Sequence, residues 1–242
     1  MKMKLLKLTL AIFVITYLSS CYKLAATDST GTPQPQPKVT PTIVIMGSSS
    51  AAGEGANPID SSWANRLQAT VNQTSTKAKF INLAYGGYTT YEAQATGSVT
   101  ASRPAPDTAR NITKALSLHP TLVLLSYPSN DIAWNFSDTE ILNNYAKLTH
   151  LLDSAKVQYI IFSTQPRDFP DSTQRMRLKT LNDKIISVYT YRVNNFLDQL
   201  STPTYSIKPQ YEAGDGIHLN NAGHAVIFNA TLQQPIFMNV VQ

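Results

Sequence analysis

The sequence predicts an α/β protein in which helices cover a parallel sheet. From Thr42 onward, short apolar runs alternate with longer amphipathic segments, which is the pattern of strands joined by helical crossovers. The chain has 242 residues and is 43% hydrophobic, which is enough to build a large core. Neither an internal repeat nor a second linker interrupts the pattern, so we expect one domain from residue 42 to 242.

Four short apolar runs are the candidate strands. They span Ile43 to Met46, Phe80 to Ala84, Leu122 to Tyr127 and Val157 to Ser163. Nearly continuous apolar character of this length is typical of strands that are buried on both faces of a parallel sheet.

The segments between and after these strands have helical periodicity. The candidate helices span Ser61 to about Val71, Asp107 to Leu118, Ser137 to about Lys156 and Asp171 to about Leu200, with a last one from near Asn220. Ser137 and Glu140 have the spacing of a capping box at the start of the third helix. The fourth helix is expected to bury one face, which carries Leu178, Leu181, Ile185 and Val188.

Residues 1–20 have the pattern of a secretory signal peptide. Three lysines precede an apolar run from Leu8 to Leu18, which is too short to span a bilayer comfortably. Cleavage would remove these lysines and no acidic residue, so the net charge of +5 overstates that of the mature protein. No dense stripe of Lys and Arg with interleaved aromatics follows, and we expect no nucleic-acid partner.

Cys21 is the only cysteine and follows this run directly. Leu18-Ser19-Ser20-Cys21 resembles a bacterial lipobox, which implies that Cys21 is lipidated and becomes the mature N-terminus. A plain signal peptide with an incidental cysteine is the alternative. Residues 21–41, rich in Pro, Thr and Ser, are then expected to form a lipid-anchored tether. The protein would be a membrane-anchored lipoprotein of the bacterial cell envelope, on the periplasmic or outer-membrane face.

Ligands of open parallel sheets bind at the carboxyl ends of the strands, so the residues there are the candidate site. Gly47-Ser48-Ser49-Ser50 follows the first strand, and its small residues allow a sharp turn that exposes a serine. Tyr85-Gly86-Gly87 follows the second strand and leaves backbone N–H groups unobstructed. Each segment alone is more typical of an ordinary turn than of a catalytic loop.

Two further segments carry groups that suit acyl transfer. In Ser129-Asn130-Asp131, after the third strand, the Asn amide either donates to an oxyanion or caps the turn. In Asp215-Gly216-Ile217-His218, an acid and a base lie within one turn of chain, and such a carboxylate can accept the imidazole Nδ1–H and fix its tautomer. Nucleophile, donors, orienter and base are therefore all present at predicted loop positions.

Together these segments resemble the conserved blocks of the SGNH hydrolase superfamily, also called GDSL-like lipases and esterases. The blocks are Gly47-Ser48-Ser49-Ser50 with Gly53, Asn82-Leu83-Ala84-Tyr85-Gly86-Gly87, Ser129-Asn130-Asp131, and Asp215-Gly216-Ile217-His218 followed by Asn220 and Gly223-His224. They extend over residues 42 to about 224. The chain departs from the family at Ser48, where an Asp is usual, and at Ala84, where a Gly is usual.

The resemblance implies Ser49 as nucleophile, His218 as general base and then acid, and Asp215 as its orienter. It assigns the oxyanion hole to the backbone N–H groups of Ser49 and Gly87 and to the side-chain amide of Asn130. It also implies a flavodoxin-like, three-layer α/β/α sandwich with a five-stranded parallel sheet. The implied activity is that of a serine esterase, acting through an acyl-enzyme on short-chain acetyl esters of a carbohydrate. A catalytically degenerate, lipid-anchored glycan-binding protein and an acyltransferase with the same triad are the alternatives.

The other histidines are expected to be structural or solvent-facing. His119 lies at a helix end, His150 inside a helix, and His224 in the first turn of the last helix. Neither a His-Glu-x-x-His motif nor a Cys/His cluster occurs, and we expect no metal and no cofactor.

The remaining candidates for substrate contact are aromatic or basic. Trp63, Tyr85 and Tyr88 are more typical of packing residues than of sugar platforms, while Arg167 is expected at the pocket rim or on the surface. An α/β-hydrolase orders its triad in the same way, but it fits less well because Ala51 replaces the last glycine of its Gly-x-Ser-x-Gly elbow.

Overall fold

Five parallel strands form the central sheet of the computed structural model, which describes residues 40–242. They span Thr42–Gly47 (β1), Lys79–Asn82 (β2), Leu122–Ser126 (β3), Gln158–Phe162 (β4) and Val193–Asn194 (β5). Their order is β2-β1-β3-β4-β5, and every neighbouring pair is parallel. The chain moves from β1 to one side and then returns to the other, and this reversal places a crevice at the carboxyl ends of the strands.

The predicted N-terminal segments fall largely outside this description. The predicted signal peptide, the predicted lipidation site Cys21 and residues 21–39 of the predicted tether all lie outside the described residues.

Helices cover both faces of the sheet. Within residues 40–242 they are Ser49–Ala52 (α1), Trp63–Asn72 (α2), Ile112–Ser117 (α3), Ser129–Ala133 (α4), Asp138–Ser154 (α5), Ser172–Tyr189 (α6), Leu197–Leu200 (α7), Asn221–Leu232 (α8) and Pro235–Val241 (α9). Side chains of α3, α5 and α6 pack on one face, and those of α2, α8 and α9 pack on the other. The predicted three-layer α/β/α sandwich is confirmed.

Strand β1 shows why both faces are buried. Val44 and Met46 belong to the apolar cluster beneath α3, α5 and α6, whereas Ile43 and Ile45 belong to the opposite cluster. Successive strand residues point to opposite faces, so an uninterrupted apolar run supplies both layers. Each of these side chains is at most 1% exposed. Full burial of one such side chain stabilises the fold by roughly 1.5–3 kcal/mol.

The four predicted strands are confirmed to within a few residues, and so is the capping box of α5. Ser137 Oγ accepts the Glu140 N–H at 3.2 Å, and the Glu140 carboxylate accepts the Ser137 N–H at 2.8 Å. The second predicted helix begins later than expected, at Ile112 instead of Asp107, because Asn111 caps it there.

The single long helix predicted from residue 171 to 200 is wrong. Helix α6 ends at Tyr189, Thr190 has a φ of +46°, and a 3₁₀ turn leads into β5 and α7. The predicted burial of Val188 is also wrong, since this side chain is 59% exposed and Tyr189 is buried. Tyr189 belongs to the apolar cluster on this face of the sheet, and its ring lies 6.3 Å from that of Tyr145.

His224 joins α8 to α2 and to the segment after α1. Its Nδ1 accepts the backbone N–H of Trp63 at 3.3 Å, and its Nε2 donates to Glu54 O at 3.0 Å. Since a backbone N–H can only donate, the ring is neutral. Burial lowers the pKa of His224 to about 4. His224 is therefore structural as expected, and His119 and His150 face solvent.

We expect acid to destabilise the protein through His224. The ordinary histidine pKa is 6.5, so below that pH the unfolded chain binds a proton that the folded state does not bind until the pH nears 4. Stability therefore falls as the pH falls through this window. Between pH 7 and about pH 4.5, the wild type should lose about 2 kcal/mol more unfolding free energy than His224→Gln, measured by urea denaturation.

The exposed His150 provides the matched control. His150→Gln should keep the pH dependence of the wild type, because its side chain is solvated in both states. If His224→Gln shows the same pH dependence of stability as the wild type, His224 is not the source of the acid destabilisation.

Candidate active site

Strand β1 ends in a tight turn that presents Ser49. Gly47, its last residue, lies so close to β3 that a Cβ atom there would be 2.5 Å from Ser126 O. Ser48 N–H donates to the same carbonyl at 3.0 Å, and Ser49 begins α1. The chain therefore turns away from β3 at a position where only glycine fits, and Ser49 lies at the cleft.

The turn is braced although Ser48 stands where the family usually has Asp. Asn82, at the end of β2, donates from Nδ2 to Ala51 O at 2.7 Å. The N–H of Glu54 donates to Ser49 O at 2.9 Å. Backbone groups and the Asn82 amide thus hold the nucleophile segment.

The structure brings the three predicted triad residues together. His218 Nε2 lies 2.9 Å from Ser49 Oγ, and His218 Nδ1 lies 2.6 Å from Asp215 Oδ2. The other carboxylate oxygen of Asp215 accepts the N–H groups of Ile217 and His218, both at 2.8 Å. The acid is therefore anchored to the same turn that carries the base.

Hydrogen bonding keeps Asp215 ionised. Burial would raise its pKa, but hydrogen bonds from the His218 N–H, the imidazole and the Ile217 N–H lower the pKa of Asp215 to about 2. A carboxylate only accepts, so in the neutral imidazole the proton lies on Nδ1. The lone pair of Nε2 is then free to accept the Ser49 hydroxyl.

The three predicted oxyanion donors also lie at the cleft. Within residues 40–242, the backbone N–H groups of Ser49 and Gly87 donate to no protein acceptor. Gly87 has a φ of +82°, which favours glycine. The amide of Asn130 is fixed at both ends, since Nδ2 donates to Tyr88 O at 3.1 Å and Oδ1 accepts from Arg167 Nη1 at 3.1 Å. One Nδ2 hydrogen of Asn130 remains available for a ligand.

An open cleft of about 760 Å³ is formed by these groups. Its wall also includes Ala52, Glu54, Ala84, Tyr85, Gly86, Arg110, Arg167 and Ile217. The sequence interpretation missed Glu54 and Arg110 and left Arg167 at the rim or the surface. Glu54 directly follows Gly53 of the first block, which was the available signal. Arg110 lies outside every block, and no pattern in the sequence marks it.

Tyr85 contradicts the interpretation of the aromatic residues as packing. It is 53% exposed and lines the cleft, with the guanidinium of Arg110 5.0 Å from its ring centre and the Tyr88 ring 5.1 Å away. Trp63, in contrast, is fully buried and packs on Phe162 at 4.8 Å, as expected.

The described part of the chain has neither a metal-binding cluster nor a membrane-spanning helix. Among residues 40–242, no group of three or more His, Cys, Asp or Glu side chains is placed to hold a metal ion. No helix in the same range is both long enough and apolar enough to cross a membrane.

Known structures share this fold at low sequence identity. A GDSL-like lipase from Bacteroides thetaiotaomicron is 19% identical, with a TM-score of 0.60 over 83% of this chain and 89% of that chain. The psychrotrophic esterase EstA from Pseudoalteromonas sp. is 16% identical, with a TM-score of 0.59 over 80% and 96%. A catalytic mutant of Axe2, an acetylxylan esterase from Geobacillus stearothermophilus, is 12% identical, with a TM-score of 0.62 over 80% and 93%.

Sequence comparison gives the family. No curated protein matches the chain. The profile of the GDSL-like lipase/acylhydrolase family matches residues 45–226, which include all four blocks of the site. The chain therefore belongs to the GDSL-like lipase/acylhydrolase family and is a serine hydrolase that acts on ester bonds.

Proposed function

We propose that this protein is an esterase that removes short acyl groups, acetyl above all, from a carbohydrate through a covalent acyl-enzyme. The observation that carries the proposal is the pair of contacts made by His218, at 2.9 Å to Ser49 Oγ and 2.6 Å to Asp215 Oδ2. An unassisted hydroxyl is a weak nucleophile at neutral pH, and an oriented imidazole in contact with it supplies the missing base.

In the proposed mechanism, His218 transfers one proton during acylation and one during deacylation. His218 Nε2 takes the Ser49 proton as Oγ attacks the ester carbonyl carbon. When the tetrahedral intermediate collapses, the bond to the alcohol oxygen breaks and that oxygen takes the proton from Nε2. Water then gives a proton to Nε2 and attacks the acyl-enzyme, and the proton returns to Ser49 as the acid leaves. Asp215 stabilises the imidazolium in both halves.

The negative charge that develops on the carbonyl oxygen is stabilised by hydrogen-bond donors that are in place before the substrate binds. We assign this role to the N–H groups of Ser49 and Gly87 and to Nδ2 of Asn130. Donors that are fixed in place cost no reorganisation during the reaction, which is why each contributes strongly to the rate. Arg167 is a positioning residue, because it donates to the Asn130 side-chain oxygen and so orients the Asn130 side-chain nitrogen.

Two features of the cleft support the proposal that the substrate is a sugar ester of a short acyl group. Its aliphatic side chains are Ala52, Ala84 and Ile217, which offer little surface for a fatty acyl chain. The exposed ring of Tyr85, with Arg110 against it, offers a flat surface on which a sugar ring could pack. The acetylxylan esterase Axe2 has the same fold.

We further propose that a lipid on Cys21 and the tether of residues 21–41 hold this domain at the bacterial cell envelope. Support comes from the lipobox-like sequence that ends at Cys21. A carbohydrate ester of the envelope or its surroundings would then be the substrate within reach.

Ser49→Ala should lower kcat for p-nitrophenyl acetate by at least about 10⁴-fold, because no other group can form the acyl-enzyme. A fluorophosphonate probe should label the wild type and not this variant. Ser50→Ala is the matched control, since the Ser50 hydroxyl is buried and makes no hydrogen bond within the described residues. This control should keep both activity and labelling, and turnover by Ser49→Ala near the wild-type rate would refute the mechanism.

Asn130→Ala should lower kcat by about 10²- to 10³-fold with little change in KM, because it removes a donor used mainly in the transition state. Arg167→Met should lower kcat less, since the Asn130 amide keeps its hydrogen bond to Tyr88 O. Steady-state kinetics with p-nitrophenyl acetate measure both effects. An unchanged kcat in Asn130→Ala would remove this amide from the site.

The wild type should release acetate from at least one of acetylated xylan, pectin and peptidoglycan. Ser49→Ala provides the blank for each polymer, and an enzymatic acetate assay provides the readout. Transfer of the acetyl group to an added sugar, without release of acetate, would instead identify an acyltransferase.

A further inference from the structure

The backbone of Glu54 is fixed at the edge of the catalytic cleft. Its N–H donates to Ser49 O at 2.9 Å, and its carbonyl accepts from His224 Nε2 at 3.0 Å. One hydrogen bond ties it to the nucleophile segment and the other to helix α8. The side chain therefore starts from a defined position, although it is 49% exposed.

The Glu54 carboxylate lies beside the nitrogen that transfers the proton. Its Oε2 is 3.2 Å from His218 Nε2, and its Oε1 lies against Gly86, where an added Cβ atom would overlap it. The carboxylate thus occupies the space between the imidazole and the loop after β2. Both His218 and Gly86 line the cleft.

This carboxylate has acceptor capacity that the protein does not use. In the neutral form that takes the Ser49 proton, His218 carries its own proton on Nδ1, so Nε2 presents a lone pair and cannot donate to Glu54. No other group within residues 40–242 donates a hydrogen bond to the side chain of Glu54. The two arginines of the cleft have other neighbours, since Arg110 lies 3.8 Å from Asp107 and Arg167 donates to Asn130.

The chemistry of the proposed reaction fixes where the leaving alcohol must lie. Its oxygen receives the proton from His218 Nε2 and must therefore come within hydrogen-bond reach of that nitrogen. Glu54 Oε2 already flanks the same nitrogen. A hydroxyl on the carbon next to the ester-bearing carbon would then meet the carboxylate.

We propose that Glu54 is a specificity-determining residue that accepts a hydrogen bond from a hydroxyl vicinal to the ester oxygen. The enzyme would thereby select esters of vicinal diols, an arrangement that sugars have and simple alkyl esters lack. This inference rests on the proposed function, because it uses the role of His218 in protonating the leaving alcohol.

Three small acetate esters test the inference. Propyl acetate has the same number of non-hydrogen atoms as 2-hydroxyethyl acetate and differs by a methyl in place of the hydroxyl. 2-Methoxyethyl acetate keeps the polar oxygen and loses the donor. A hydrogen bond to a charged group is worth at least about 10-fold, so the wild type should prefer 2-hydroxyethyl acetate to each of the others by about 10-fold in kcat/KM.

Variants at Glu54 should change this ratio. Glu54→Ala should bring it to about 1, and Glu54→Gln, which keeps the shape and one acceptor oxygen, should give an intermediate value. Asp183→Asn is the charge-matched control, because it removes a carboxylate that pairs with Lys179 on α6, outside the cleft. Its ratio should equal that of the wild type.

The outcomes separate the two proposals. A wild-type ratio near 1, or a ratio unchanged by Glu54→Ala, would overturn the role of Glu54 even if the esters are hydrolysed. Failure of the wild type to hydrolyse any of the three esters or p-nitrophenyl acetate would instead overturn the proposed function. If Glu54→Ala does not react with a fluorophosphonate probe, its active site is not intact and Glu54→Gln replaces it in the test. A ratio in Glu54→Gln equal to that of the wild type would then contradict the inference.

Discussion

The hydrogen bond between Ser49 and His218 joins residues that are 169 positions apart in the chain, and the chemistry of the molecule depends on it. The sheet places Ser49, while the loop after β4 holds the segment that carries the base. In that loop the N–H of Asp168 donates to Gly216 O at 2.8 Å, and Gln165 Nε2 donates to Ile217 O at 3.0 Å. The loop after β4, which contributes no triad residue, therefore positions the base.

Two close backbone approaches help to position the nucleophile and the base. At Gly47 the end of β1 lies against Ser126 O, and at Gly55 the segment after the nucleophile lies against the backbone of Leu219, directly after His218. A side chain at either glycine would force the two backbones apart. Since a proton is transferred only over hydrogen-bond distance, these glycines serve the reaction as much as the fold.

The sequence allowed prediction of the features that depend on local pattern. Short, nearly continuous apolar runs identified β1 to β4, and the spacing of Ser137 and Glu140 identified a helix start. Strand β5 has two residues and pairs only with β4, so it left no periodic signal. The exposure of Tyr85 and the contact between Glu54 and His218 depend on how distant loops meet, and residue type alone does not specify that.

Two carboxylates flank the imidazole of His218, and their anchoring separates their roles. Asp215 contacts Nδ1 and accepts two backbone N–H groups through its other oxygen, so it orients the ring throughout the cycle. The Glu54 carboxylate contacts Nε2, the nitrogen whose proton moves, and accepts no hydrogen bond from residues 40–242. A carboxylate anchored as firmly at Nε2 would retain the proton and compete with both Ser49 and the leaving alcohol. Hydrogen bonds hold only the backbone of Glu54, so its carboxylate can move away from Nε2 when a reacting oxygen approaches. Its negative charge then stays beside the imidazolium that proton transfer creates.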